Sequence, residues 1–179
     1  TLLYFRRSDE EPITPENTNK PYGESPVSTA MGAYFNKKAY TDPTLRRKYT
    51  RMGFWVNIRL IRYPDVLLMA AESANEKGLM GEASGYLEQV RAHARGTLTN
   101  VLPKVESLDQ SVLREAIRHE RRVELGLEPD RFYDLVRWGI AQEVLQAAGK
   151  NYQPKNALLP LPQTEIDKSN GVLVQNPDY

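Results

Sequence analysis

The sequence predicts an all-α fold: tetratricopeptide-like helical hairpins in an α/α superhelix, with long loop-rich flanking segments. Three observations carry the prediction. Between Tyr63 and Ala94, apolar residues recur every three or four positions, the spacing of one helical face. Gly78 and Gly96 stand where two such helices would end, and Tyr63 to Gly96 spans about 34 residues, the length of one tetratricopeptide unit. The flanks, residues 1–33 and 149–179, are instead punctuated by proline and glycine.

In residues 1–33, Pro12, Pro15, Pro21 and Pro26 with Gly23 and Gly32 predict a long irregular path rather than regular elements. Nine of the sixteen aromatics fall within the first 55 residues, so this flank is rich in flat apolar faces of the kind that stack on sugar rings. Tyr4, Phe5, Tyr22 and Tyr49 are the candidate ligand-binding residues. Phe35, Phe54 and Trp55 are read as staples onto the helices beneath. Residues 1–62 thus form one loop-rich segment that packs on the helices and contributes to the ligand face. Up to Arg62 there are 11 basic and 6 acidic residues, a net of +5, which leaves −4 for the remainder. The basic run Arg46-Arg47-Lys48-Tyr49-Thr50-Arg51 reads as a solvated face, since no nucleic-acid fold signature accompanies it.

Residues 63–148 hold two hairpins, 63–96 and 107–148. The first helix shows an apolar stripe of Tyr63, Val66, Leu67, Ala70, Ala71 and Ala74, with Pro64 in its first turn and Gly78 at its exit. Ala83, Tyr86, Leu87, Val90 and Ala94 repeat the spacing in the second helix. Ser107 and Gln110 form a capping box for the third, with Asp109 as a rival cap. A fourth helix, Asp130 to Ala148, places Phe132, Leu135, Val136, Gly139, Ile140, Val144 and Ala147 inward. A single hairpin cannot bury both its faces, so each should stack on neighbours. Residues 149–179 read as an extended strap in which Pro154, Pro160 and Pro162 hold Leu158, Leu159 and Leu161 across the helices. A short turn is expected from Thr164 and Glu165, and Tyr179 should dock.

The densest chemistry lies in RHERRVELGLEPDRFYDLVRWG, Arg118 to Gly139. Continuing the inner stripe of Leu113, Ala116 and Ile117 by helical steps lands on Glu120 and Glu124, so the core-facing stripe turns into carboxylates. Charges near a core cost several kcal/mol each unless paired, which predicts a buried or half-buried ion-pair network of Glu120, Arg121, Glu124, Arg131, Asp134 and Arg137. Arg121, Arg131 and Arg137 are the arginines nearest in the chain. The network is read as an architectural clamp. No nucleophile has an adjacent base here, and His119-Glu120 lacks the second histidine of a zinc-protease helix, where Val123 stands. The pairs Glu115 with Glu120 and Asp130 with Asp134 are the carboxylates a glycoside hydrolase would use, but neighbouring arginines would keep them ionised. No catalytic residue, metal site or cofactor is therefore expected.

Bulk properties bound the rest. A formal charge of +1 gives no global pull toward nucleic acid or an anionic membrane. The absence of cysteine excludes disulfides and thiolate metal sites from this stretch. No apolar run approaches the roughly 20 residues of a membrane span. The chain opens TLLYFRRSDE, without Met or a signal-peptide layout, and is expected to be a fragment or mature piece.

ERRVEL followed by DRFYDLVRWG resembles the most distinctive segment of the SusD/RagB family, the surface nutrient-binding lipoproteins of Bacteroidetes-type bacteria. IRLIRYPDVLLMAAESANEKG at 58–78, YLEQVRAHARG at 86–96, ALLPLPQTEID at 157–167 and the closing QNPDY agree with it in order. Two positions depart: Asp178 stands where the family usually has glycine, and Pro64 where it often has alanine. The resemblance implies the C-terminal portion of one such domain. The N-terminal half of the same protein, carrying the signal peptide and lipidated cysteine, would then lie outside this chain. It further implies a non-catalytic protein, lipid-anchored at the cell-surface face of the outer membrane. Such a protein captures a glycan or peptide nutrient and caps a SusC-type TonB-dependent transporter. A tetratricopeptide-type scaffold that binds only proteins is the alternative.

Overall fold

The computed structural model describes residues 59–179 and Lys38, together with the backbone of two short strands, β1 (Leu2–Tyr4) and β2 (Tyr34–Asn36). Six helices follow among the described residues: α1 (Tyr63–Glu76), α2 (Met80–Arg95), α3 (Gln110–Glu124), α4 (Asp130–Arg137), α5 (Ala141–Ala147) and α6 (Gln163–Lys168). A 3-10 turn, Pro154–Ala157, precedes α6. The chain divides into two compact units, 1–127 and 128–179, so the third and fourth helices expected from the sequence fall in different units.

In the first unit, α1 and α2 form the expected hairpin and α3 lies against both. Leu67, Leu68, Ala71 and Ala74 of α1 pack with Ala83, Leu87 and Val90 of α2 and with Leu113 and Ile117 of α3. The buried stripe of α1 is rotated from the sequence reading: Tyr63 and Val66 are exposed, while Leu68 and Asn75 are fully buried. Helix α1 carries apolar residues on two sides, and α3 covers the flank on which Leu68 and Asn75 lie. Asn75 is accommodated by a reciprocal pair, its Nδ2 donating to the Gln110 carbonyl at 3.0 Å and Gln110 Nε2 donating to the Asn75 carbonyl at 2.8 Å. Ala94, expected inward on α2, is exposed.

The turn between α1 and α2 depends on Gly78, whose φ of 79° lets Leu79 N–H return to the Ala74 carbonyl and Gly78 N–H to that of Asn75. A methyl group there would meet nothing within 4 Å, so its cost is backbone strain alone. Gly78→Ala should lower stability by about 1 kcal/mol. Gly85→Ala, inside α2 and equally uncrowded, should raise it by about 0.5–1 kcal/mol. Denaturation midpoints moving in the same direction would refute the pairing.

Three expectations are corrected by the local chemistry. Asp109, not Ser107, caps α3: its Oδ1 accepts from the N–H groups of Ser111 at 2.8 Å and Val112 at 3.1 Å. A carboxylate suits the positive helix end better than a hydroxyl, and Gln110 is already engaged by Asn75. A bond from the Ser111 hydroxyl, together with these two from the backbone, holds the Asp109 carboxyl below its ordinary pKa. The single helix expected over 130–148 is two helices, broken where Gly139 takes a φ of 71°. Residues 2–4, expected to be irregular, pair antiparallel with 34–36 in the register Leu2↔Asn36, Leu3↔Phe35, Tyr4↔Tyr34. Three-residue strands of Leu, Tyr and Phe suit a ladder but are too short to show a period.

In the second unit, Leu135, Ala141 and Tyr152 are buried, with Phe132, Val136, Ile140, Val144 and Leu145 packed around them. The strap is fastened differently from the reading that buried its leucines. Leu158 and Leu159 are 52% and 61% exposed. Their backbone is held instead by side chains from the C-terminus. Gln175 both accepts from Leu161 N–H at 2.8 Å and donates to its carbonyl at 2.9 Å. Asn176 donates to Leu159 O, and the Tyr179 hydroxyl donates to Leu158 O at 3.0 Å. Lys155 Nζ sits 4.9 Å from the centre of the Tyr179 ring. Asp178 takes a φ of 67°, a conformation glycine adopts without strain.

Candidate functional site

The Asp109 cap and the buried pair Leu113 and Ile117 set the rotation of α3, and that rotation carries Glu120 and Arg121 inward, to 3% and 4% exposure. Glu120 Oε2 accepts from Arg91 Nη1 of α2 at 3.1 Å. Arg121 Nη1 donates to Asp65 Oδ1, in the first turn of α1, at 2.8 Å. One turn on, Glu124 Oε1 accepts from Arg62 Nη1 at 2.8 Å. Nearer solvent, Arg114 grips Glu76 with two bonds of 2.7 Å, which lower the Glu76 carboxyl from its ordinary pKa. The charges of α3 therefore fasten it to both helices of the first hairpin.

The partners differ from those nearest in the sequence. In the first unit Arg91 meets Glu120 and Arg62 meets Glu124. In the second, buried Asp134 accepts from Arg137 Nε at 3.0 Å. Arg131 and Arg137 lie 5.9 and 4.9 Å from the centre of the Trp138 ring. One signal for Arg91 was present: the inner stripe of α2, continued from Leu87 by four residues, lands on it, as the stripe of α3 lands on Glu120. Asp65 and Arg62 carry no comparable pattern.

At Glu120 burial outweighs the neighbouring cations in setting the direction of the pKa shift. Burial pushes its carboxyl above the ordinary value, and the charges of Arg91 and His119 oppose that shift without cancelling it. Arg91 Nε is buried without a hydrogen-bond partner, so the pair is incompletely satisfied. Glu120 has almost no surface to offer a substrate, whereas Glu115 is mostly exposed. Among the described residues no cluster of three or more His, Asp or Glu could hold a metal ion. No helix among them is long and apolar enough to cross a membrane. Of the aromatic candidates, Tyr4 lies in β1, while Phe5, Tyr22 and Tyr49 fall outside the described residues.

Comparison with known proteins matches residues 9–157 to the SusD family. The chain belongs to the SusD family. It is 39% identical over 153 residues to one SusD-like protein of Formosa agariphila, covering 82% of this chain and 27% of that protein. A second from the same organism is 36% identical over 127 residues, 66% of this chain and 25% of the relative. A SusD homolog from Bacteroides thetaiotaomicron, known from its crystal structure, superposes with a TM-score of 0.61 at 30% identity. That match covers 74% of this chain and 30% of the homolog. A SusD-like protein from Bacteroides fragilis gives 0.54 at 29% identity, over 66% and 25% of the two chains. The SusD-family chain thus spans about a quarter of the curated relatives it matches. Its fold is all-α and tetratricopeptide-like, and the match contains every residue of the α3 seam and its partners.

Proposed function

We propose that this SusD-family chain is part of a non-catalytic nutrient-binding protein at the cell surface. In this reading the protein captures a glycan, oligosaccharide or peptide and hands it to a SusC-type TonB-dependent transporter in the outer membrane. A lipid attached outside this chain anchors it. The observation that carries the reading is the family match over residues 9–157. The α3 seam supports it: charged side chains that would suggest chemistry are turned inward and spent on holding helices together. Aromatic faces stack on sugar rings and polar side chains bond hydroxyls, which is what a capture surface requires.

The test is calorimetry or affinity electrophoresis of the full-length protein against starch, fructan, mucin-type glycans and peptides. Retention of at least one nutrient class without its breakdown is the expected result. Hydrolysis of any of them, abolished by Glu120→Gln, would replace the reading with a glycoside hydrolase. Retention of none, with a protein bound on the helical face, would replace it with an interaction scaffold. Within the proposed capture surface, alanine at Tyr4, Tyr22 or Tyr49 should weaken ligand retention by about tenfold each while leaving the thermal melt in place. Full affinity in all three variants would remove these aromatics from the site.

A further inference from the structure

We infer that Lys38 is the tie that fixes the segment carrying β2 to the C-terminus of α3. Helices α1, α4 and α5 close their own C-termini. After each, a glycine with positive φ (Gly78, Gly139, Gly149) turns the chain so that two N–H groups return to the last carbonyls. Helix α3 ends otherwise. Its left-handed residue is not a glycine one position past the C-cap but Leu127, with a φ of 66°, and the N–H of Gly126 reaches the Val123 carbonyl at 3.4 Å.

The last carbonyl of α3, that of Glu124, accepts from cations brought from far along the chain. Lys38 Nζ donates to the Glu124 carbonyl and, at 3.3 Å, to that of Gly126. Arg62 Nη2 donates to the same Glu124 carbonyl at 3.0 Å, while its Nη1 holds the Glu124 carboxylate. A helix C-terminus is the negative end of the peptide dipole, so a half-buried ammonium there gains from the dipole as well as from the hydrogen bonds. Lys38 lies two residues beyond β2, and β2 is paired with β1. Arg62 immediately precedes α1.

The arrangement is redundant on the helix side. Without Lys38, Arg62 still caps Glu124, so α3 keeps its end. The segment beside β2 loses the two bonds that Lys38 makes at the end of α3, and its placement loosens while the helices stay packed. This inference concerns how the segment is held and does not depend on what it binds.

Native-state hydrogen exchange of the full-length protein decides the matter, using Lys38→Met to keep the side-chain length and remove the charge. Amides of Tyr34–Asn36 and Leu2–Tyr4 should exchange about tenfold faster, while the core amides of α1, α2 and α3 keep their wild-type rates. Unchanged exchange in both strands overturns the inference. Acceleration spread equally over the strands and the three helices also overturns it, because Lys38 would then support the unit as a whole.

Discussion

Glu120→Ala is expected to lower the free energy of unfolding by about 3–5 kcal/mol, because it leaves the Arg91 guanidinium inside the unit without its counter-charge. The Arg91 side chain is only 11% exposed and already has one N–H unpartnered, so water cannot readily replace the carboxylate. The pair itself is not a strong source of stability, since burial costs Glu120 more than Arg91 returns. Replacing both partners with apolar side chains, Arg91→Met with Glu120→Leu, should therefore recover most of the loss or exceed wild type. The pH dependence has a definite sign. The folded pKa of Glu120 lies above the unfolded value, so its contribution is fully present below about 4.5 and is lost as pH rises through the folded pKa. Glu120→Gln should remove that part of the slope. The lowered carboxyls of Asp109 and Glu76 act oppositely, their contributions being lost as pH falls through their folded values. Urea melts that found Glu120→Ala within 1 kcal/mol of wild type would show that Arg91 has another way to be solvated.

Much of this could be read from residue order, and the failures share a cause. Periodicity located α1 and α2, and glycine marked their ends, because those signals are local. The inward turn of Glu120 was legible from the stripe of α3, since helical geometry fixes which positions share a face. Its partner was not, because sequence distance is a poor guide to spatial distance: Arg91 is 29 residues from Glu120, farther than Arg131 or Arg137. The strap misled for a different reason. Its leucines imply burial, yet the backbone is pinned by Gln175, Asn176 and Tyr179, and polar side chains that bond carbonyls leave no period. At 130–148 an apolar pattern ran through Gly139, and the conformational freedom of one residue outweighed it.

Leu68→Ala and Val66→Ala provide the sharpest comparison between the two stripes assigned to α1. The sequence reading placed Val66 inward and passed over Leu68, because Leu68 and Asn75 share a flank and a polar residue there conceals the apolar face. In the folded unit Leu68 is wholly buried where α1, α2 and α3 meet, and Val66 is 43% exposed. Removing the Leu68 isobutyl group deletes its contacts and leaves a void among Ala71, Leu87, Leu113 and their neighbours that cannot close without moving a helix. The expected loss is about 2–5 kcal/mol, a large fraction of the net stability of a folded domain. Val66→Ala should cost under about 1 kcal/mol, since water already reaches much of the side chain. The reverse order, measured by chemical denaturation of the full-length protein, would mean that α1 turns its other apolar face to the core. Because α3 defines the inner flank, that rotation would also separate Arg121 from Asp65, so the two results test a single geometry.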